Sequence, residues 1–404
     1  MYPSGPHRAC GEVAEWSKAL DWNSSYISTG VRGFESHPLR QFKQDAPVEG
    51  RFRFCRAAAA VKTGRAWLPL VMLALLACTP QPPTERIAGR SMGTTYEVVV
   101  TRRPAGVTRA DLEATVDAVL DEVDRHLSGW NRASDLIRFN KETSTDWVPV
   151  PALLAEAVEQ SLAVSRESDG AFDVTVGPLV RAWGFGAGAV EGGVPPTPAD
   201  LDRLGETVGY RKLAVRVQPP ALRKSLPAVE IDLDGIAPGL AVDRIAARLE
   251  ALGIRDYLVE LGGEVRARGR SPTDRPWRIA VEAPIEGLRR AHALVELDDL
   301  GVSTSGDYRD FRDLAGQRVS HTIDPRTAAP VSHGLASVTV LHPSAAAADA
   351  WATALMVLGP EEGMTLARRR ELAVLFLARR PDGSFVESTS PGFEQLRRPL
   401  APAL

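Results

Sequence analysis

Apolar positions fall into two rhythms once the first eighty or so residues are passed. Leu112 to Leu127 carries them at helical spacing, with Asp111 and Glu113 near its start, and predicts an amphipathic helix. Leu153 to Arg166, Leu240 to Leu252 and the Ala-rich stretch Ala345 to Leu358 predict three more. Short β-branched runs predict strands at Met92 to Thr101, Val229 to Leu233, Tyr257 to Leu261, Trp277 to Glu282 and Ala336 to Leu341. The two rhythms mix without an obvious repeat, which indicates an α+β fold rather than regular βαβ winding. Gly186 to Pro198 is rich in Gly and Pro, so it reads as a surface loop and as the boundary between two lobes.

The N-terminal region follows neither rhythm. Met1 to Arg56 is broken by Pro, Gly and Ser and predicts no packed element. A basic stretch, Val61-Lys62-Thr63-Gly64-Arg65, then leads into an apolar run from Ala66 to Ala77. That run is shorter than the roughly 20 residues a bilayer span needs, and it matches a secretory h-region. It ends Leu75-Leu76-Ala77-Cys78, which resembles a bacterial lipoprotein signal, cut before a Cys that then carries lipid. An ordinary signal peptide or a frayed buried helix are the alternatives. The expected organisation is a non-native or disordered extension over 1–60, with translation starting near Val61. A signal peptide over 61–77, a Pro-rich tether over 78–87 and one catalytic domain over 88–400 follow. The mature chain would then be held at a bacterial membrane through Cys78, exported to its periplasmic side or outer face.

Composition narrows the function. Of 404 residues, 44% are hydrophobic and 25% charged, enough for a sizeable core, and the net charge of −3 argues against nucleic-acid binding. Cysteine occurs at positions 10, 55 and 78 only, so the mature chain has no disulfide, no Cys-ligated metal and no thiol nucleophile inside its domain.

Eight clusters of turn-forming and polar residues interrupt the predicted elements. They are Ser91-Met92-Gly93-Thr94-Thr95-Tyr96; Ser128-Gly129-Trp130-Asn131 with Ser134 and Asn140; and Asp169-Gly170-Ala171-Phe172-Asp173 running through Gly177-Pro178-Leu179 to Trp183-Gly184-Phe185-Gly186. Next come Asp232-Leu233-Asp234-Gly235-Ile236-Ala237-Pro238-Gly239 running to Asp243, Leu261-Gly262-Gly263-Glu264, and Ser303-Thr304-Ser305-Gly306-Asp307-Tyr308. The last two are Ser320-His321-Thr322-Ile323-Asp324-Pro325-Arg326-Thr327 and Asp349-Ala350-Trp351-Ala352-Thr353. Singly, most read as turn chemistry. Asp349 and Thr353 lie four apart on a predicted helix and share a face. One carboxylate and one hydroxyl there suit a hard cation such as Mg²⁺, and a buried Asp–Thr hydrogen bond suits the same pattern.

In order and spacing, the eight clusters together resemble the ApbE family, the FAD:protein FMN transferases, from about Gly89 to Arg379. The resemblance implies an α+β fold of two packed lobes with the flavin between them, and export, often as a lipoprotein. It implies that Met92 and Trp130 border the FAD site, that Ala171, Phe172 and Asp173 form another wall, and that Asp232 holds the cofactor. It further implies that Ile323 touches FAD beside His321 and Asp324, and that Asp349, Thr353 and the Gly235 carbonyl bind Mg²⁺. The implied reaction joins the FMN half of FAD to a Thr or Ser hydroxyl of a client flavoprotein, releasing AMP, with membrane redox complexes as the expected clients. A hydroxyl needs a general base, for which His321 is the choice and Asp324 the next. Pro238 stands where the family commonly has Lys in its nucleotide-binding turn, and Ala328 where it commonly has Gly. Mg²⁺-dependent hydrolysis of FAD to FMN and AMP, and non-catalytic flavin binding by a lipoprotein, are the alternative functions.

Overall fold

The computed structural model describes residues 84–189, 194–308, 311–314 and 317–400. The expected extension, signal peptide and lipidated Cys78 lie outside these residues. The described residues form one compact unit.

An eight-stranded sheet organises that unit. Its strands are β1 (Glu85–Ser91), β2 (Thr94–Val100), β3 (Tyr257–Leu261), β4 (Glu264–Arg268), β5 (Leu300–Gly306), β6 (Leu335–His342), β7 (Ala373–Arg379) and β8 (Phe385–Thr389). They lie side by side in chain order, and every neighbouring pair is antiparallel. The helices are α1 (Arg109–Leu127), α2 (Asp135–Lys141), α3 (Ala152–Glu167), α4 (Gly177–Ala182), α5 (Pro198–Gly205), α6 (Ala237–Ala251), α7 (Ala345–Arg369) and α8 (Pro391–Leu396).

Alternation along the strands explains the layering. Val98, Val100, Val259, Val338, Val340, Val374 and Phe376 point to one face, against α1, α6 and α7, with α3 packed on α1 and α7. Val99, Val265, Val302, Leu341, Leu375 and Leu377 point to the other. A three-stranded sheet of Trp277–Glu282, Ala291–Leu297 and Arg397–Arg398 covers that second face together with α8. Both faces are buried, so β6 is buried at every position up to Leu341, with Ser337 and Thr339 among its buried residues.

Most predicted elements lie where expected, with four differences. Residues 85–87, assigned to the tether, already belong to β1. The described parts of the expected boundary loop, 186–189 and 194–198, lie within the compact unit, which is not divided there. The Ala-rich helix ends its regular course at Leu358: Gly359 turns to φ 76°, Pro360 follows, and the chain resumes helically to Arg369. Val229 to Leu233 is extended but belongs to no sheet. The Asn140 side chain takes the place of a neighbouring strand there, donating Nδ2–H to the Ile231 carbonyl and accepting the Ile231 N–H on Oδ1, both at 2.8 Å.

Candidate functional site

The helix α7 carries the first pair of predicted ligands, and its start is held from outside. Asp243 on α6 accepts the backbone N–H groups of Ala345 (2.9 Å) and Ala346 (3.0 Å) and the Ser344 hydroxyl (2.7 Å). Arg266 of β4 in turn donates to Asp243 at 2.9 Å. A carboxylate on the exposed N–H groups of a helix start is favourable by both hydrogen bonding and the helix dipole. Gly239 permits the contact between the helices, because a Cβ there would lie 2.5 Å from the Ala345 carbonyl oxygen.

One turn further, Asp349 is buried and accepts the Gly239 N–H at 3.2 Å. Thr353 Oγ1 lies 3.5 Å from Ser305 Oγ on β5. The two predicted ligands therefore have separate partners. Opposite them stands Gly235. A Cβ at Gly235 would lie 3.2 Å from Thr353 Oγ1 and 3.2 Å from the Phe172 ring. The gap is thus walled by a hydroxyl and an aromatic edge, and a main chain without a side chain faces it. Among the described residues no group of three or more His, Cys, Asp or Glu forms a metal site. The set that fits a cation here is oxygen-only: the Asp349 carboxylate, the Thr353 hydroxyl and the Gly235 main chain. Such a set, leaving other positions for phosphate oxygens, suits Mg²⁺.

Negative charge gathers around this gap. Burial, and then the charge of Glu264, push the Asp349 carboxyl well above its ordinary range, while the Gly239 N–H works against the rise. Asp232 is raised by burial, with the Arg181 guanidinium opposing. Asp234 is solvent-exposed and is pushed up to about 7, first by the charge of Asp232. Carboxylates that resist ionisation this way gain from a nearby cation. Glu264 and Asp234 are the members that the sequence did not single out as ligands. Both stood in flagged turns, but only the folded backbone places them beside Asp349.

The remaining predicted residues divide by their surroundings. Trp130 is 67% exposed, and its side chain donates to Asp234, so a large apolar ring stands free at the rim of the acidic group. Phe172 and Ala171 are buried, with the Phe172 ring edge at the gap. Asp173 spends both carboxylate oxygens inside the protein: Oδ1 accepts Thr175 N–H (2.8 Å) and hydroxyl (2.6 Å) in its own loop, and Oδ2 accepts the N–H of Tyr210 (2.6 Å) from a separate turn. It supports the wall rather than presenting a free carboxylate. Met92 and Gly93 are the two residues of the β1–β2 turn, at φ 50° and 75°, and the partly buried Met92 packs on the main core. Pro238 occupies the first turn of α6, where a missing N–H costs no helical bond.

The short helix α4 joins this region to the His321 loop. At its start, Gly177 leaves room for Asp232, since a Cβ there would be 3.2 Å from the Asp232 side chain. Just beyond its end, Trp183 Nε1–H donates to the Ala328 carbonyl at 2.9 Å. Phe185 meets the His321 ring edge-to-face at 6.3 Å, and the Arg312 guanidinium lies 5.5 Å over the same Phe185. Ile323 packs with Leu179 and Val208, so its side chain belongs to a small core under α4. Asp324 is buried, and Arg326 grips it at both oxygens, with Nε 3.0 Å from Oδ1 and Nη2 2.9 Å from Oδ2. That pairing leaves Asp324 poorly placed to take a proton. Ala328 adopts φ 57°, the left-handed conformation that the common Gly would adopt without strain.

The ApbE family model matches residues 92–376. The FAD:protein FMN transferase of Haemophilus influenzae is 37% identical over 331 residues, covering 80% of this chain and 94% of that one. The Escherichia coli K12 protein of the same name is 38% identical over 310 residues, 76% of this chain and 88% of that one. Among solved structures, the apo flavinyl transferase ApbE of Pseudomonas stutzeri superposes with a TM-score of 0.72 at 41% identity, covering 78% and 96%. The flavin transferase ApbE of Vibrio cholerae gives 0.72 at 37%, covering 78% and 100%. With a family model spanning most of the folded unit, and relatives matched over nearly their whole lengths, this chain belongs to the ApbE family.

Proposed function

We propose that this protein transfers FMN from FAD to a Thr or Ser hydroxyl of a client flavoprotein, in a Mg²⁺-dependent reaction that releases AMP. The observation that carries the reading is the gap bounded by Gly235, Thr353 and Phe172 beside the buried Asp349. The flavin comes from its relatives, which are FAD:protein FMN transferases. In this reading the client oxygen bonds to the phosphorus of the FMN half, and the bond from that phosphorus to the bridging oxygen breaks. AMP leaves with the bridging oxygen, and His321 takes the client's proton. Mg²⁺ held by Asp349, Thr353 and the Gly235 carbonyl would supply charge neutralisation at the phosphoryl oxygens. Trp130, exposed at the rim, offers a face for a flat ring, and Phe172 closes the opposite side. Cys78 would tether the domain to the membrane that houses its clients.

The test is to incubate the purified protein with FAD, Mg²⁺ and a candidate client. Fluorescent flavin that stays with the denatured client, with AMP in equal amount, is the expected result. AMP release without a client would shift the assignment to FAD hydrolysis. Tight FAD binding without AMP would leave only flavin binding.

A further inference from the structure

Lys224 is the least expected charge in the molecule: its side chain is completely buried. Burial lowers its pKa, with Glu230 and Glu142 opposing. The ammonium donates to three main-chain carbonyls, those of Val229 at 3.1 Å, Asn140 at 3.2 Å and Phe139 at 3.4 Å. It also lies 5.3 Å over the Phe139 ring. Two of these carbonyls close α2, and the third opens the extended segment that leads to Asp232. Asn140 completes the junction by pairing both main-chain groups of Ile231. Lys224 thus fixes the main chain of Asn140, and the Asn140 side chain fixes the residue before Asp232. Downstream, the Asp232 N–H reaches the Val174 carbonyl at 2.7 Å, and Ala237 N–H closes the turn onto Leu233 at 2.8 Å.

We propose that Lys224 and Asn140 form a positioning clamp that holds the Asp232–Gly235 turn in register with Thr353 and Asp349. The proposal rests on reading the Gly235 gap as a cation site. Three carbonyls around one ammonium are a costly way to stabilise a loop, since a buried charge must recover its lost hydration from its partners. A hydrophobic plug would fill the same space. It would not tie α2, the short strand Ala221–Lys224 and the segment before the acidic turn to one point. The segment needs this substitute because no strand flanks it, and a backbone without a ladder is free to shift. The gap at Gly235 tolerates little shift, with neighbours on both sides within 3.2 Å of where a Cβ would be.

The test uses the whole protein and two variants, Lys224→Met and Asn140→Asp. The second keeps the acceptor for the Ile231 N–H but replaces the donor to the Ile231 carbonyl. Val295→Ala, in the sheet on the far face, serves as a destabilised control. Amide hydrogen exchange is followed over residues 229–237, and the Mg²⁺ concentration for half-maximal FMN transfer is measured. Both clamp variants are expected to lose about ten-fold in exchange protection there and to need about ten-fold more Mg²⁺. Val295→Ala should do neither. Unchanged exchange in the clamp variants overturns the proposal, as does faster exchange with a wild-type Mg²⁺ requirement. So does a control that loosens the turn equally. If Lys224→Met does not fold, Asn140→Asp alone decides. If the wild type transfers no FMN, the functional reading fails by itself, and Mg²⁺-induced protection of residues 232–237 serves as the second measurement.

Discussion

Adding one methyl group at Gly235 asks the most of the site for the least disturbance elsewhere. In Gly235→Ala the new Cβ would stand 3.2 Å from Thr353 Oγ1 and 3.2 Å from Phe172 Cε2. Ordinary carbon contacts lie at 3.5–4.0 Å, so both neighbours must retreat by a few tenths of an ångström. Overpacking of this kind typically costs about 1–3 kcal/mol, and one methyl against a movable side chain belongs at the low end. The thermal midpoint should therefore fall by only a few degrees. Function should suffer as well. Thr353 Oγ1 is the atom displaced, and catalytic geometry is steep: about 1 Å of misplacement costs roughly a hundred-fold. The expected loss in kcat/KM is about 4–10-fold, or about 0.8–1.4 kcal/mol. The assay is client flavinylation across a Mg²⁺ titration, with Gly205→Ala as a control, where a Cβ meets nothing within 4 Å. A Gly235→Ala protein with wild-type rate and Mg²⁺ dependence would refute the assignment of this gap as the cation site.

Other expectations follow from the same geometry. Asp349→Asn keeps the size and the acceptor for Gly239 N–H but removes a buried charge, so turnover should vanish while the metal-free protein gains stability, read by thermal melts in EDTA. His321→Ala should lower turnover about 10²–10⁴-fold with FAD affinity little changed, read by steady-state flavinylation and FAD titration; loss of FAD binding in this variant would make His321 a cofactor ligand or a structural residue instead of the base. Ala328→Gly should raise unfolding free energy by about 0.5–1 kcal/mol in a denaturant titration, because it relieves a left-handed alanine. His342 accepts the Ser344 N–H at 3.0 Å and has its pKa lowered by burial. The folded state then resists a proton that the unfolded chain accepts, so its contribution is intact above about pH 6.5 and is lost as pH falls below; His342→Asn should flatten the stability curve in that window.

How far the sequence could be read depended on where the hydrogen bonds go. Helices such as α1 and strands such as β3 announce themselves, because their own periodicity decides what is buried. Val229 to Leu233 has the composition of a strand, but its partner is a side chain ninety residues away, and no local pattern reveals that. The same holds for the site. Asp349 and Thr353 were legible because helical spacing puts them on one face. Glu264 and Asp234 were not, because turns bring them in from separate stretches. Ile323 was legible as a position but not as a side chain: its motif marks the loop, while its isobutyl-sized group fills a core. The turn at Ala328 was expected to need another solution without glycine, yet the backbone takes the left-handed conformation all the same.

The order of the central sheet has a consequence for synthesis. β1 and β2 form a hairpin almost at once, but the strand that pairs with β2 is β3, roughly 150 residues later in the chain. At about 5–20 residues per second, the ribosome leaves that edge open for about ten to thirty seconds. The waiting strand reads Thr-Thr-Tyr-Glu-Val-Val-Val, β-prone and carrying a single charge. For that interval the nascent chain offers an unpaired, adhesive edge. Glu97, at its middle, is the one residue placed to discourage another chain from joining it.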